Sequence, residues 1–568
     1  MGEEGSTVQE SDHLSGQGLL SQYVTNTEGQ VFAIHGLEGI IGAVMARYSR
    51  AETGLRETLL REFIKEDKLK VGKAHKLIER VLIAYGDDSV GELEGAHLSF
   101  ENISMLATKA IEHRRIGGSP IEQSTRYVRY DFKDPEKGYH YHVPGDLPSD
   151  QLRTVYCQTM DRIFENYAVM WSKLMPYLER RKPMTEAVYD LPGKGRTYAE
   201  MGTSKQQSVF ERTYKNDLKT KACDILRAFL PLATKANVGL FGNGRFFQHL
   251  ISKMLSAPLV EVNDLGQNAF EELTKIIPHY VKRARRLEYL EQTSNAMRTL
   301  VEHHFADLSA ASVKAIDLIE PDYTWQAQRL QELGPVTAET LATVQQEQSH
   351  DDFMAALVYS FCRAPFQAIR KRLRSLPLGV RDEIFETYYG DRENRRDRPE
   401  RGIEHGYPYT FDITTEWAVY KDLMRHRMAT IQIQPMAPDL GFEMPPELEE
   451  AGAGTIAQET AALSEDLFAT LSQKHPVSKE YAIMQGHKVR WLIGINDRAL
   501  MHMLELRTAP QGHPNYRKTC QQMHEAMGQV YPQRAGQLKF VNHEETYWSR
   551  SDSEARQRVK EALLDQGD

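Results

Sequence analysis

The chain repeats itself, and this limits its possible folds more than any other property. Ala43-Val44-Met45-Ala46-Arg47-Tyr48-Ser49-Arg50-Ala51 reads as a helix with small and apolar residues on one side. Ala356-Leu357-Val358-Tyr359-Ser360-Phe361-Cys362-Arg363-Ala364 has the same shape and the same Arg-Ala ending. Tyr85-Gly86-Asp87 and Tyr389-Gly390-Asp391 follow, each closing a helical segment. Two β-like runs match next: His97-Leu98-Ser99-Phe100-Glu101-Asn102-Ile103-Ser104 and Tyr409-Thr410-Phe411-Asp412-Ile413-Thr414. Each leads into a helix that ends in basic residues, Glu112-His113-Arg114-Arg115 and Met424-Arg425-His426-Arg427. Finally Asn243-Gly244-Arg245 with His249 pairs with Asn496-Asp497-Arg498 with His502. One such match is cheap; five in the same order define a repeat.

A chain of 568 residues is too long for one ordinary core. The expected layout is a lead-in over 1–29, rich in Ser and Gly, then a first copy over 30–305. A junction over 306–324, a second copy over 325–550 and a charged tail over 551–568 complete it. The copies differ most over 175–226, a polar stretch with Pro192-Gly193-Lys194-Gly195 that reads as an inserted loop or extra helix. Apolar spacing predicts helices over 63–84, 152–178, 270–305 and 511–530. Strand signals are confined to the two β-like runs and 139–143. Each copy is therefore expected to be an α+β domain, helix-rich with a small, mostly antiparallel sheet.

Three clusters carry chemistry. Ser119-Pro120-Ile121-Glu122-Gln123-Ser124-Thr125-Arg126-Tyr127-Val128-Arg129-Tyr130 follows Gly117-Gly118, where the backbone can approach a ligand closely. Ser124 and Arg126 supply a hydroxyl and a forked cation suited to phosphate, unless the loop is simply solvated. Arg425-His426-Arg427 ends a helix, where the dipole favours cations in any case. Arg498, His502 and Glu505 share one helical face among Leu500, Met501, Met503, Leu504 and Leu506. They form a surface ladder or, on a buried helix, need a partner such as a ligand.

Together these motifs resemble the flavin-dependent thymidylate synthases. Arg425-His426-Arg427 is similar to that family's Arg-His-Arg, and Ser119 to Tyr127 to its loop Ser-x-Asn-Glu-x-Ser-x-Arg-Tyr. Asn496, Arg498, His502 and Arg507 are similar to a downstream family set, and Asn243, Arg245 and His249 echo it in the first copy. Arg227, followed by Leu230-Pro231, is similar to a family arginine that contacts the nucleotide. The resemblance covers roughly four fifths of the chain. Departures are complementary. In the first copy Arg114-Arg115-Ile116 stands for Arg-His-Arg and Met254 for the late arginine. In the second, Ile433, Pro435, Ala437 and Pro438 replace Glu, Ser, Arg and Tyr, and Glu480 matches Arg227.

The resemblance implies transfer of a one-carbon unit from methylenetetrahydrofolate to dUMP, with FAD as the redox cofactor and NADPH as the reductant. It implies Arg507 near the uracil ring as the catalytic group. Ser124, Arg126, Tyr127 and Arg227 would hold the nucleotide, with Glu122 near both ligands. Arg425, His426, Arg427, Asn496, Arg498, His502, Asn243, Arg245 and His249 would cradle FAD. The family's homotetramer becomes, for a tandem chain, a homodimer acting as a pseudo-tetramer with two working and two dead sites. A related flavoenzyme acting on another pyrimidine nucleotide, or a non-catalytic nucleotide- or flavin-binding protein, remains open.

Other classes are disfavoured. A net charge of -9 argues against a nucleic-acid binder. No apolar run reaches 18 residues, so no membrane span is expected. Cys157, Cys223, Cys362 and Cys520 lie far apart without a CxxC, as reduced cytoplasmic thiols would. None neighbours an obvious base, so no cysteine nucleophile is expected. His140 with His142, and the adjacent His303 and His304, lack the further ligands of a metal site.

Overall fold

The computed structural model describes residues 18–28, 32–37, 40–48, 54–65, 68–69, 91–114, 116–190, 195–393, 397–549 and 551. The 85–87 match, Arg115, most of the lead-in, nearly all of the helix expected over 63–84 and the tail beyond Ser551 lie outside these residues.

The first copy builds a three-stranded sheet from β1 (Gly95–Ser104), β2 (Gly118–Glu122) and β3 (Lys235–Asn243), in the order β1-β3-β2. The second builds a sheet from β4 (Ile316–Leu318), β5 (Tyr409–Glu416), β6 (Thr430–Ile433) and β7 (Lys488–Ile495), in the order β6-β7-β5-β4. With the edge strand β4 set aside, both sheets place the third strand of the copy between its first and second. The sequence repeat is thus a repeat of topology, and the chain is two tandem α+β copies. Pairing is antiparallel between β2 and β3, between β6 and β7, and between β7 and β5. β4 falls in the expected junction and pairs Leu318 with Phe411.

Between β1 and β2 runs α1 (Met105–Glu112); α2 (Asp150–Arg181) and α3 (Ser204–Leu226) precede β3. Ser149 caps α2 by accepting from Leu152 N at 3.2 Å, which satisfies one of the free N–H groups of the first turn. Its buried stripe, from Leu152 and Tyr156 through Met160, Phe164 and Tyr167 to Leu174, keeps helical spacing. The stretch 175–226, expected to be an inserted loop or extra helix, holds the end of α2, a short antiparallel pair of Tyr189 with Arg196, and the whole of α3. After β3 come α4 (Gly244–Leu255), α5 (Val260–Ile276) and α6 (Glu288–Phe305).

The single helix expected over 270–305 is therefore two longer helices with the short Pro278–Val281 helix between. Pro278 has no N–H to continue α5 and instead opens the next turn. The strand expected over 139–143 is reduced to one bridge, Tyr141 with Thr234. Of 63–84 the described residues are Phe63, which ends a helical turn, and Ile64–Lys65 and Lys68–Leu69, which pair as antiparallel strands with Ile64 opposite Leu69 rather than continuing a helix. In the second copy the main elements are α7 (Ala338–Tyr359), α8 (Trp417–Leu423), α9 (Gly454–Lys474), α10 (Asp497–Arg507) and α11 (Pro514–Val530).

Packing falls into two compact units. The first comprises Met1–Glu101, Ala110–Glu122 and Asn237–Leu287; the second comprises Asn102–Lys109, Gln123–Ala236 and Glu288–Asp568. These units cut across the repeat, because α2 and α3 of the first copy belong to the second unit.

Within the second unit the two copies are joined by main-chain hydrogen bonds that come in matched pairs. Leu232 N donates to Ile483 O at 2.7 Å, and its counterpart Gln485 N donates to Leu230 O at 3.0 Å. Ala233 N donates to Tyr481 O at 3.1 Å, and Gly486 N to Ala228 O at 2.8 Å. The partners are related by the same offset that relates Asn243 to Asn496. A patch that pairs with its own repeat in this reciprocal way is an isologous contact, here made inside one chain.

Candidate functional site

The loop after β2 carries Arg126 into the second unit, where it is 5 % exposed. A guanidinium so deeply buried requires a counter-charge, and Asp224 in the last turn of α3 provides it. Arg126 Nε donates to Asp224 Oδ1 and Nη2 to Oδ2, both at 2.6 Å, a two-pronged fork. Nη2 also donates to Ser549 Oγ at 3.2 Å, and Nη1 to Gln511 O at 3.4 Å. Burial pushes the Asp224 carboxyl up, but Arg126 outweighs it and holds the group at about 2. Ser124 Oγ accepts from Arg126 N at 3.3 Å, closing the local turn, and Tyr127 is exposed.

Three residues past Asp224, in the short turn Arg227–Phe229, Arg227 is 3 % exposed. Its Nη1 donates at 3.0 Å to Asp422 Oδ2, at the end of α8, while its Nη2 is buried with no hydrogen-bond acceptor among the described residues. Asp422 is the focus of the second copy's contribution. Burial raises its carboxyl, but Arg227, Arg425, Arg507 and Arg126 together hold it well below the usual carboxylate range. Four arginines, two from each copy, thus surround one acidic side chain.

Past α8 the Arg425-His426-Arg427 turn leads to β6, with Arg425 and His426 half-buried and Arg427 exposed. Arg507, in the last turn of α10, donates from Nε to His426 Nε2 at 2.9 Å. That bond requires a neutral imidazole, and burial, Arg507 and His502 lower His426 to about 3. The rings of His426 and His502 lie 5.9 Å apart. The Nη groups of Arg507 make no hydrogen bond among the described residues, and its guanidinium sits 5.5 Å from the Tyr516 ring centre.

Asn496 caps α10 by accepting from Ala499 N at 3.0 Å, and Arg498 and His502 are exposed. The sequence leaves α10 either as a surface ladder or as a buried helix whose polar residues need a partner. The helix is amphipathic: Leu500, Met503 and Leu504 are buried, while Met501 and Leu506 are 39 % and 50 % exposed. Its polar face therefore does not need a buried partner.

The remaining expected residues belong to the first unit. Glu122 is buried at the end of β2, opposite Val238. Asn243 caps α4 by accepting from Phe246 N at 2.8 Å, Arg245 pairs with Glu92, and His249 is half-buried. Asn243 and Asn496 thus do the same structural work in both copies.

Sequence reasoning missed Asp224, Asp422, His513 and Ser549. His513 caps α11, its Nε2 lies 3.2 Å from Asp224 O, and burial, then Arg227, lower it to about 3. No local spacing ties Arg126 to Asp224, or Arg227 to Asp422, so only the fold reveals these pairs. The cysteines are passive: burial pushes Cys223 and Cys520 up to about 12 and Cys362 up to about 11. Among the described residues there is no cluster of three or more metal-ligating side chains, and no helix is long and apolar enough to cross a membrane.

Comparison with known proteins finds one family matched in both copies. The sequence model of a family described as thymidylate synthase complementing protein matches residues 40–279 and 392–533, one segment in each copy. A UPF0159 protein of Chlamydia muridarum is 32 % identical over 563 residues, spanning 95 % of this chain and 97 % of the relative. Another from Chlamydia pneumoniae is 30 % identical over 560 residues, with 94 % and 96 % covered. A third from Thermoplasma acidophilum is 27 % identical over 526 residues, with 91 % and 98 % covered. Matched over both copies, the chain belongs to the thymidylate synthase complementing protein family.

Proposed function

We propose that the protein methylates dUMP to dTMP at a composite site, with methylenetetrahydrofolate as one-carbon donor, FAD as cofactor and NADPH as reductant. The observation that carries this reading is the buried Nη2 of Arg227, a charged donor with no acceptor among the described residues. Leaving such a group unsatisfied costs about 1–3 kcal/mol or more. A nucleotide phosphate would supply the missing acceptor, within the field of Arg126 and Arg425.

The residues divide the work between the copies. Arg227 and Arg126, with Ser124 and Tyr127 on the same loop, hold the nucleotide. Arg507, oriented through Nε by neutral His426, keeps its Nη edge for a uracil oxygen and stabilises charge as it grows on the ring. Exposed Arg427 and Arg498 with half-buried Arg425, beside Asn496 and the start of α10, form a donor set suited to a diphosphate such as that of FAD. His502 extends this donor set; in the first unit Asn243, Arg245 and His249 are the matching proposed cofactor contacts, and Glu122 is a proposed substrate contact. Reduced FAD supplies the two electrons that turn a methylene-level carbon into a methyl group. Two chains would then form a pseudo-tetramer with two working sites.

The test is the visible spectrum of the purified protein, then flavin oxidation when dUMP and methylenetetrahydrofolate meet the reduced form. Oxidation dependent on both, with dTMP formed, is the expected result. A bound flavin indifferent to dUMP overturns the substrate; a chain that takes up no flavin overturns the reaction.

A further inference from the structure

Past the short helix Pro532–Ala535, residues 536–549 form neither helix nor strand, yet the segment is fastened along its length. Asn542 N donates to Thr508 Oγ1 at 3.0 Å, and Gln521 Nε2 donates to Asn542 O at 2.9 Å. Arg517 Nη2 reaches Asn542 Oδ1 at 2.9 Å and Glu544 O at 2.8 Å. These anchors come from the second copy.

Further on, the anchors come from the first copy. The Tyr547 ring lies between Lys221, 3.6 Å from its centre, and Arg181, 4.1 Å from it. Lys182 lies 4.9 Å from the Trp548 ring centre, donates to Ser551 Oγ at 2.9 Å and pairs with Asp217 at 2.6 Å. Ser551 Oγ in turn donates to Asp217 at 2.8 Å. All of these receptors, Arg181, Lys182, Asp217 and Lys221, sit within 175–226, on the end of α2 and on α3. This stretch and the 542–551 segment are therefore one device.

Within the second set of anchors, between Trp548 and Ser551, stands Ser549. Its Oγ accepts from Arg126 Nη2 at 3.2 Å, so its own O–H is spent on no acceptor among the described residues. Arg126 and Arg227 act on the same two carboxylates, Asp224 and Asp422, and Arg227 Nη2 also has no acceptor there. One hydroxyl donor, on the serine that Arg126 holds, and one buried guanidinium donor, on the arginine that shares its two carboxylates, are thus left over. A tetrahedral oxyanion can satisfy both with separate oxygens.

We propose that Ser549 is a ligand of the nucleotide's phosphate, carried into the site by the C-terminal strap. This rests on the nucleotide reading above. It adds a binding residue from outside both copies' repeated motifs and gives the 175–226 stretch a purpose, which is to hold the strap in register.

The test is calorimetric titration of the full-length chain, wild type, Ser549→Ala and Ser549→Thr, with dUMP, deoxyuridine and inorganic phosphate. Loss of a hydrogen bond to a charged group should weaken dUMP and phosphate roughly tenfold or more in Ser549→Ala. Deoxyuridine should be unaffected and Ser549→Thr should recover the loss. An unfolding temperature matching the wild type shows that the variant is folded. Unchanged dUMP affinity in Ser549→Ala overturns the assignment, and so does an equal loss for dUMP and deoxyuridine. Tighter dUMP binding would make the strap a competitor and also overturn it. If phosphate binding depends on Ser549 but wild type does not prefer dUMP to phosphate, the strap stands and the substrate reading falls. If wild type and Ser549→Ala take dUMP equally, the reverse holds, and a wild type that binds none of the three overturns both.

Discussion

Asp224 and Arg126 show how charge is organised residue by residue. Neither side chain has appreciable contact with solvent, and each is the other's main partner. Removing one partner of such a pair strands the other, at about 3–5 kcal/mol, whereas replacing both by apolar groups is often near neutral. Asp224→Ala should therefore lower urea-unfolding stability by roughly that amount. Arg126→Met with Asp224→Leu should recover most of it; if the double variant is no better than the single, the pair is not the reason. Histidines set the acid limit. Burial lowers His513 to about 3 and His487 to about 4, while unfolded histidines titrate near 6.5. As pH falls through 6.5 the unfolded chain gains protons that the folded chain refuses, so stability is lost from there down towards pH 4. At pH 5 each such histidine contributes about 2 kcal/mol of that loss. His487→Gln should make the fall in unfolding free energy between pH 7 and pH 5 shallower; an unchanged slope rejects the assignment.

At the scale of elements, both copies begin a helix with the same asparagine, and this separates structural from ligand-binding work. Asn496→Asp keeps the cap, while Asn496→Ala should cost about 1 kcal/mol. Flavin affinity measured on both variants then distinguishes the roles: loss in Asn496→Asp at unchanged stability marks a cofactor contact, and retention marks a cap alone. Several elements were legible because their periods are clean. The alternation of 97–104, the stripe of α2 and the apolar face of α11 gave strand, helix and helix. β3 and β7 were not read. β7 is buried over nearly its whole length, but Lys488 and Arg490 break its apolar pattern, and the short run Trp491-Leu492-Ile493 that remains cannot be told from buried helix by period alone. β3 contains Gly239 and Gly242, which blur its pattern. In the candidate site the arginines were readable because cations in a resembling motif attract notice. Their carboxylate partners were not, because Asp224 on a polar helix looks like any solvated acid.

For the whole molecule, Arg126 of the first copy and Arg507 of the second act on one carboxylate within one compact unit of one chain. Mixing Arg126→Ala with Arg507→Ala should therefore not restore turnover, since each chain still lacks one of its own groups. Recovery in the mixture would show that the residues work across chains. The reciprocal main-chain bonds between 228–233 and 481–486 carry a longer consequence. In an assembly of identical subunits, any change at a two-fold seam is made twice, once on each side, so an innovation must suit both faces together. Joining the two sides in one polypeptide ends that obligation. A substitution here is made once, on one side, and the seam does not come apart on dilution because its halves are tethered. Glu480 could thus stand where Arg227 stands in the other half without disturbing Arg227 itself, and the inheritance of the two halves could diverge while their join stayed the same.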